Sequence, residues 1–252
     1  QIRDIDIRIH RDGQGSPALF LHGANGVAGW TPMFKALAGE VDLRVPEHPW
    51  FGHSQKSDRI ATVADLALFY LDVLDTLDLK GVHLIGTSLG GWVASEIAIR
   101  NSSRLASLTL VAPAGLPAEG TAPSRFFHWE KEEAVRNLFY DQDIAERMLA
   151  QPLSPEQAQV DLKNRIATCR FAMPTNFRSR DLEHWLHRIH LPTTLIWGSD
   201  DRVFPVESMD RWTNLLPNAT TTVIEQCGHL PHVEKPDEVL SAFVSFIQDA
   251  NR

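Results

Sequence analysis

Ser88 lies in the sequence Gly-Thr-Ser-Leu-Gly at residues 86–90, between a short apolar run and a segment with helical character. A serine between glycines at a strand-to-helix turn has a strained backbone that pushes its hydroxyl out above the sheet. The N-terminus of the following helix favours a negative charge that forms beside that hydroxyl. The pattern therefore predicts a nucleophile. An ordinary strand-to-helix turn containing a serine is the alternative, and other residues must decide between the two.

Two further segments carry the residue types that could activate this serine. A serine is a poor nucleophile until a base removes its proton, and His229 is the predicted base. A carboxylate must hold the imidazole in the correct tautomer, and either Asp200 or Asp201 can supply it. Each of these groups follows a predicted strand, so they are expected at the same edge of a parallel sheet. The order Ser, Asp, His at one edge predicts attack on a carbonyl by a serine.

Predicted strands alternate with predicted helices along most of the chain, which favours an α/β fold with a mostly parallel sheet and helices on both faces. From 114 to 190 no strand is evident, and we expect an inserted helical cap over the catalytic edge. The alternative is that these helices continue the helical layers of the core. The predicted organisation is core at 1–113, cap at 114–190 and core again at 191–252. The predicted strands lie near 5–9, 18–21, 43–45, 82–85, 108–111, 193–197 and 220–224.

In several of these loops the chain resembles the α/β-hydrolase fold family. The resemblance covers nearly the whole chain apart from the cap. It implies that Ser88 is the nucleophile, Asp201 the acid and His229 the base, with Asp200 as the alternative acid. The matching segments are His-Gly-Ala-Asn-Gly at 22–26, Gly-Thr-Ser-Leu-Gly-Gly at 86–91, Gly-Ser-Asp-Asp-Arg-Val-Phe-Pro at 198–205 and Cys-Gly-His at 227–229.

Backbone amides beside the nucleophile are expected to form an oxyanion hole. One donor is the amide of Leu89, the residue after Ser88. The second comes from the loop at 22–26, where the resemblance implies Ala24, with Asn25 as the next candidate. The chain departs from the family at 47–54, where Glu-His-Pro-Trp-Phe-Gly-His-Ser replaces the common Asp-x-Pro-Gly-x-Gly-x-Ser. His48 in this loop is predicted either to line the pocket or to be structural.

These observations predict a serine hydrolase that cleaves a small-to-medium carboxylic ester through an acyl-enzyme on Ser88. No cofactor and no metal are required by this chemistry. Aromatic side chains near the predicted pocket and in the predicted cap favour a substrate with apolar parts. The predicted substrate-binding residues are Asn25, Trp50, Phe126, Trp129 and Arg165.

Two other functions are kept as alternatives. The first is hydrolysis of a carbon–carbon bond in meta-cleavage products of aromatic degradation. The stretch at 138–142 resembles enzymes of that class, in which a cap arginine holds the dienoate carboxylate, and Arg165 is the closest match. Leu230 and Leu89 depart from it, because those enzymes often carry tryptophan and methionine there. The second alternative is a non-catalytic ligand-binding protein on the same fold, which an intact triad disfavours.

Net charge, hydropathy and cysteine content exclude some classes of partner and favour one cellular setting. The 252 residues carry a formal net charge of -8, which disfavours nucleic acid and anionic membranes, so a small molecule is the expected partner. No apolar run approaches the ~20 residues of a membrane span. The two cysteines favour a reducing, cytoplasmic setting. An oligomer of identical chains is compatible with the sequence. The histidines at 184, 187 and 190 have no obvious acidic or cysteine partner, so a metal site is not predicted.

Overall fold

A seven-stranded sheet passes through the centre of the protein in the order β1-β3-β2-β4-β5-β6-β7. The computed structural model describes residues 1–118 and 126–250, so 119–125 of the predicted cap lie outside the described residues. The edge strand β1 is antiparallel to β3, and the other pairings are parallel. The strands are β1 (Ile9–Asp12), β2 (Pro17–Leu21), β3 (Asp42–Pro46), β4 (Val82–Thr87), β5 (Leu105–Val111), β6 (Thr193–Gly198) and β7 (Ala219–Ile224).

Helices cover both faces of this sheet, as the alternating sequence predicts. Helices α2, α3 and α8 pack in one core cluster, whereas α1 and α10 pack in a second cluster on the other face. Among the described residues the helices are α1 (Pro32–Ala38), α2 (Val63–Thr76), α3 (Leu89–Arg100), α4 (Lys131–Leu138), α5 (Gln142–Ala150), α6 (Pro155–Ala172), α7 (Arg180–Trp185), α8 (Ser208–Leu215), α9 (Pro231–Glu234) and α10 (Pro236–Ala250).

Local sequence explains where two helices that support the site begin. Thr62 and Asp65 form a reciprocal capping box at the start of α2, and Ser154 and Gln157 form another at the start of α6. Both pairs satisfy backbone amides that have no partner inside the helix. The two helices therefore start at fixed points, and this sets which of their side chains face the loops of the site.

The first strand differs from its prediction. The alternating isoleucines predict a strand over 5–9, but β1 begins at Ile9. Ile2 and Ile5 pair with each other in an isolated bridge and are both buried. The backbone carbonyls of Asp6 and Arg8 instead accept hydrogen bonds from the loop after β3. Of the alternating isoleucines, therefore, only Ile9 belongs to the sheet, and Ile5 is buried outside it.

Helices α4 to α7 lie between β5 and β6, within residues 126–190, here called the helical insertion. No strand occurs in its described residues. Helix α7 packs against α3 of the core, so this end of the insertion joins a core layer. Helix α6 instead contacts the loops after β2 and β3. The division at 113 and 190 into core and cap stays a prediction.

Candidate active site

Ser88 occupies the turn between β4 and α3 with φ 51° and ψ −117°, a conformation that a residue with a side chain rarely adopts. Its amide donates to the carbonyl of Val111 on the neighbouring strand over 2.9 Å. The turn is close-packed, because a Cβ on Gly90 would lie 2.0 Å from the carbonyl oxygen of Leu21. Glycine is thus required beside the serine, and the strained conformation is held by the surrounding backbone.

His229 joins Ser88 to a carboxylate. The Nε2 atom of His229 lies 2.9 Å from Oγ of Ser88, and Nδ1 lies 2.8 Å from Oδ2 of Asp201. All three residues are buried. With Nδ1 protonated toward the carboxylate, Nε2 is free to accept the proton of the serine hydroxyl. This is the geometry needed to activate a serine nucleophile.

The two neighbouring aspartates have different surroundings. The second carboxylate oxygen of Asp201 accepts hydrogen bonds from the amides of Val203 and Phe204, both over 2.8 Å. Asp200 is exposed, and its side chain accepts a hydrogen bond from the hydroxyl of Ser199. Of the two aspartates, Asp201 is the one hydrogen-bonded to His229. The geometry therefore agrees with the assignment of the acid to Asp201 that the family resemblance implies.

The loop at 22–26, here called the oxyanion loop, lies directly against Ser88. A Cβ on Gly23 would be 3.2 Å from Cβ of Ser88 and 3.8 Å from its Oγ. The next residue, Ala24, carries one of the predicted donor amides. Leu89 begins α3 immediately after Ser88, and an amide in the first turn of a helix has no partner within that helix. Both predicted donors are therefore in segments that border the nucleophile.

Two buried histidines contact each other, His22 at the start of the oxyanion loop and His48 in the loop after β3. Nδ1 of His22 donates to the carbonyl of Gly23 over 2.7 Å, and Nε2 of His22 accepts the amide of His48 over 3.0 Å. Nε2 of His48 donates to the carbonyl of His22, so its Nδ1 accepts the hydroxyl of Tyr70. Burial lowers the pKa of His22 to about 4, and that of His48 well below its usual value. His48 is thus a neutral structural residue and does not line the cavity at Ser88.

The helical insertion also supports the loop that carries His229. The amide of His229 donates to the carbonyl of Leu138 at the end of α4 over 2.9 Å. Glu234 on α9 accepts hydrogen bonds from the amides of Gly228 over 2.7 Å and Asp141 over 2.6 Å. One carboxylate therefore ties the histidine loop to the residues between α4 and α5. Sequence reasoning did not identify Glu234, since nothing in its spacing separates it from other helix acids.

A cavity of about 280 Å³ opens beside Ser88 and His229. Its walls are mostly apolar, and no Lys, Arg, Asp or Glu lines it among the residues that the structure describes. His232 also lines it, and burial, together with nearby His229, lowers the pKa of His232 to about 4. The described walls of the cavity therefore offer a bound molecule neither a lysine or arginine nor a carboxylate side chain. Sequence reasoning did not identify His232.

Of the predicted substrate-binding residues, Asn25 and Phe126 line this cavity, but Trp50, Trp129 and Arg165 do not. The indole of Trp50 donates to the carbonyl of Ser57, and its ring stacks under the guanidinium of Arg170, 4.4 Å from the centroid. Trp129 packs behind Phe126, with ring centroids 6.0 Å apart. Arg165 is exposed on α6, because the opposite side of that helix faces the core. These three residues therefore lie outside this cavity, and a contact between them and the substrate stays a prediction.

The remaining titratable groups do not form a second site of the kinds considered from the sequence. Within residues 1–118 and 126–250, no cluster of three or more His, Cys, Asp or Glu could hold a metal ion. Cys169 and Cys227 are both free thiols, the first exposed and the second buried. In those same ranges no helix is long and apolar enough to span a bilayer.

Known proteins share this fold and sequence pattern. A profile of the alpha/beta hydrolase family matches residues 18–242, so the chain belongs to that family. It is 27% identical to 2-hydroxy-6-oxo-6-phenylhexa-2,4-dienoate hydrolase of Comamonas testosteroni, over 98% of this chain and 93% of that protein. It is 28% identical to monoacylglycerol lipase ABHD6 of Mus musculus, over 94% of this chain and 77% of that protein. Both similar proteins are hydrolases.

The fold is also similar to that of solved structures. The meta-cleavage product hydrolase from Pseudomonas fluorescens superimposes with a TM-score of 0.82 at 20% identity, covering 98% of this chain and 95% of that chain. This likeness confirms the α/β-hydrolase fold that the sequence predicts, with its mostly parallel sheet. The similar proteins are named for different substrates, a dienoate and a monoacylglycerol, so the substrate of this chain must be argued from its own cavity.

Proposed function

We propose that the protein is a serine hydrolase that cleaves a small-to-medium carboxylic ester with an apolar acyl group. The observation that carries the proposal is the cavity at Ser88, whose described walls are apolar or neutral. An apolar acyl chain gains free energy when it leaves water for such a cavity. A carboxylate there would lose its hydration without a lysine or arginine from the described residues to replace it.

The reaction follows from the three buried groups. Oγ of Ser88 attacks the ester carbonyl carbon while Nε2 of His229 accepts the serine proton, and Asp201 stabilises the imidazolium. The amides of Leu89 and Ala24 donate to the oxyanion that forms. Collapse of the intermediate breaks the bond to the alcohol, which takes the proton from His229 and leaves an ester on Ser88.

The second half of the reaction repeats the first with water as the nucleophile. His229 removes a proton from water, and the resulting hydroxide attacks the acyl carbon. The oxyanion again lies against the two amides. The bond to Oγ then breaks, His229 returns its proton to Ser88, and the carboxylic acid leaves. No metal or cofactor takes part in these steps.

A second candidate is hydrolysis of a carbon–carbon bond in a dienoate. The similarity to the Comamonas testosteroni hydrolase favours it. Such a substrate carries a carboxylate, and the arginine predicted to hold it, Arg165, lies exposed and outside the cavity. Leu230, where those enzymes often carry tryptophan, does line the cavity. The neutral ester therefore remains the better supported substrate.

The experiment that separates the two candidates compares kcat/KM on a series of p-nitrophenyl esters with kcat/KM on a 2-hydroxy-6-oxo-dienoate. We expect activity on the esters that peaks at a short or medium acyl chain, because the cavity is small, and little or none on the dienoate. Arg165→Ala serves as the matched control and is expected to change both substrates less than about threefold. A dienoate kcat/KM above that of the best ester, lowered selectively in Arg165→Ala, would contradict the proposal.

A further inference from the structure

Two polar side chains stand out on the buried side of α6. Asn164 and Thr168 are separated by one helical turn and are 4% and 3% exposed, on the same buried side of the helix as the apolar residues Ala167 and Phe171. A buried polar group costs free energy unless it is hydrogen-bonded, so each of these side chains needs a partner. Their partners are all backbone groups in the loops that follow β2 and β3.

Most of these contacts reach the oxyanion loop. The hydroxyl of Thr168 donates to the carbonyl of Ala24 over 3.0 Å, and Nδ2 of Asn164 donates to the carbonyl of Asn25 over 2.9 Å. Oδ1 of Asn164 accepts the amide of Gly52 over 2.8 Å. The approach of Asn164 is so close that a Cβ on Gly26 would lie 2.5 Å from Nδ2. Helix α6 therefore holds the oxyanion loop through the backbone carbonyls of Ala24 and Asn25.

These bonds fix the direction of the Ala24 amide. The peptide group before the Cα of Ala24 is held by His22, whose Nδ1 donates to the carbonyl of Gly23. The peptide group after it is held by Thr168. Because a peptide group is planar, fixing its carbonyl also fixes its amide. Both peptide groups that flank the Cα of Ala24 are therefore held, the one with the Ala24 amide by His22 and the one with the Ala24 carbonyl by Thr168, and this restrains rotation about that Cα.

We propose that Asn164 and Thr168 are positioning residues that hold the oxyanion loop in its catalytic conformation, so that α6 is needed for full stabilisation of the transition state. This inference rests on the proposed function, because it takes the Ala24 amide as an oxyanion donor. A donor must lie within a few tenths of an ångström of its place to act on the developing charge. Loss of the restraint therefore affects the reaction more than the binding of the ester.

A purely structural role for α6 makes a different prediction, and the helix provides a matched control. Nζ of Lys163 donates to the carbonyls of Gly52 and Ser54, both over 2.7 Å. These bonds anchor the same helix to the loop after β3 but do not contact the oxyanion loop. If the bonds of α6 serve only to attach the helix, Lys163→Met must impair the enzyme as much as a change at Thr168.

The test measures kcat, KM and the inhibition constant of an alkyl boronic acid, whose tetrahedral adduct with a serine resembles the reaction intermediate. In Thr168→Val we expect kcat to fall by roughly ten- to a hundredfold and the boronic acid to bind more weakly by a similar factor, with KM within about threefold. Thr168→Ser keeps the hydroxyl and is expected to restore both values. Lys163→Met is expected to leave both within about threefold of wild type.

A folded Thr168→Val enzyme with unchanged kcat and boronic acid affinity would overturn the inference, as would an equal loss in Lys163→Met. Should Thr168→Val fail to fold, Asn164→Asp gives the same test, because a carboxylate still accepts the Gly52 amide but cannot donate to Asn25. Ser88→Ala separates the two proposals. If Ser88→Ala is inactive and the α6 variants are unaffected, only the inference fails, whereas an active Ser88→Ala enzyme rejects the proposed function itself.

Discussion

Two buried clusters near Ser88 contain histidine, and they differ in the charge of the partner: the first is His229 with Asp201, and the second is His22 with His48 and Tyr70. His229 lies against the carboxylate of Asp201, which can balance a positive charge on the imidazole. His22 and His48 stack on each other with ring centroids 3.8 Å apart and contact Tyr70 and backbone groups. A positive charge on either ring would be buried without an opposite charge to balance it, so both rings stay neutral.

In the proposed mechanism, this difference explains why His229 carries a proton during the reaction whereas His22 and His48 hold a loop. The carboxylate of Asp201 stabilises the positive charge that His229 gains when it accepts the serine proton. Without such a partner, the donors and acceptors of His22 and His48 are fixed in one pattern, and this pattern supports the oxyanion loop. The same residue type therefore acts as a base or as a scaffold according to its neighbours.

The largest effect on kcat is expected at Ser88, the proposed nucleophile, which is hydrogen-bonded to His229 of the first cluster. Ser88→Ala removes the hydroxyl that His229 deprotonates and leaves a small residue in the turn. We expect kcat for ester hydrolysis to fall on the order of a million-fold, with little change in the thermal unfolding midpoint. Steady-state kinetics and thermal unfolding check both parts. Activity within tenfold of wild type, in a preparation free of wild-type enzyme, would show that Ser88 is not the nucleophile.

The next effect tests the carboxylate that distinguishes the two clusters. Asp201→Asn should lower kcat by roughly ten-thousandfold, because an amide no longer selects the productive tautomer of His229 or balances its charge. Asp200→Asn is the matched control, since Asp200 is exposed and contacts only Ser199 among these groups. Its kcat is expected to stay within about threefold. The comparison fails if the larger loss occurs in Asp200→Asn.

A change in the second cluster should act mainly on stability. Tyr70→Phe removes the hydroxyl that donates to Nδ1 of His48 and leaves a buried acceptor unsatisfied. We expect the free energy of unfolding to fall by about 1–3 kcal/mol, and kcat to fall less than tenfold. The other tyrosine, Tyr140, is 40% exposed, and Tyr140→Phe provides the control in denaturant unfolding. A loss of kcat as large as that of Asp201→Asn would give the second cluster a direct part in the chemistry.

The smallest expected effect is on the pH dependence of the free energy of unfolding, and it does not involve the reaction itself. Burial lowers the pKa of His22 to about 4. Between pH 6.5 and pH 4, His22 is therefore protonated in the unfolded chain but neutral in the folded chain. This stabilisation is complete above pH 6.5 and is lost as the pH falls toward 4. At pH 4 the loss for this residue is about 3 kcal/mol.

The variant His22→Asn keeps an amide in place of the ring but cannot titrate in this range. Urea unfolding of both proteins at pH 7 and pH 4 measures the difference. We expect the drop in unfolding free energy between the two values to be smaller in the variant than in wild type. Equal drops would mean that His22 is not held neutral in the folded protein.

The sequence predicted the sheet and the loops that hold the candidate catalytic residues, because both depend on local patterns, whereas the choice of Asp201 over Asp200 came from the family resemblance. Ser88, Asp201 and His229 each follow a strand of a parallel sheet, and the topology then brings the strand ends together. The residue at which β1 begins was not predictable in the same way, because isoleucines can alternate with polar residues whether or not they pair with a strand. Its first isoleucines are buried beside a loop.

Contacts between distant segments account for the rest. Asn164 and Thr168 meet carbonyl groups that are 139 and 144 residues away in the chain, and no periodicity announces such partners. Trp50 and Trp129 are aromatic, which predicts that their rings are partly buried but not whether the rings face the cavity. Arg165 was placed at the cavity by resemblance alone, and the rotation of α6 puts it outside. Such positions depend on the packing of the helical insertion.

The central claim is that Ser88 is an activated nucleophile for carbonyl substrates, and a fluorophosphonate tests it most directly. The wild-type protein is treated with the reagent, the loss of p-nitrophenyl ester hydrolysis is followed, and the modified peptide is located by mass spectrometry. We expect a single phosphonyl group on Ser88, hydrolysis lost in proportion to labelling, and no label in Ser88→Ala. Ester hydrolysis that survives complete labelling of Ser88, or an active protein that is not labelled there, would contradict the account.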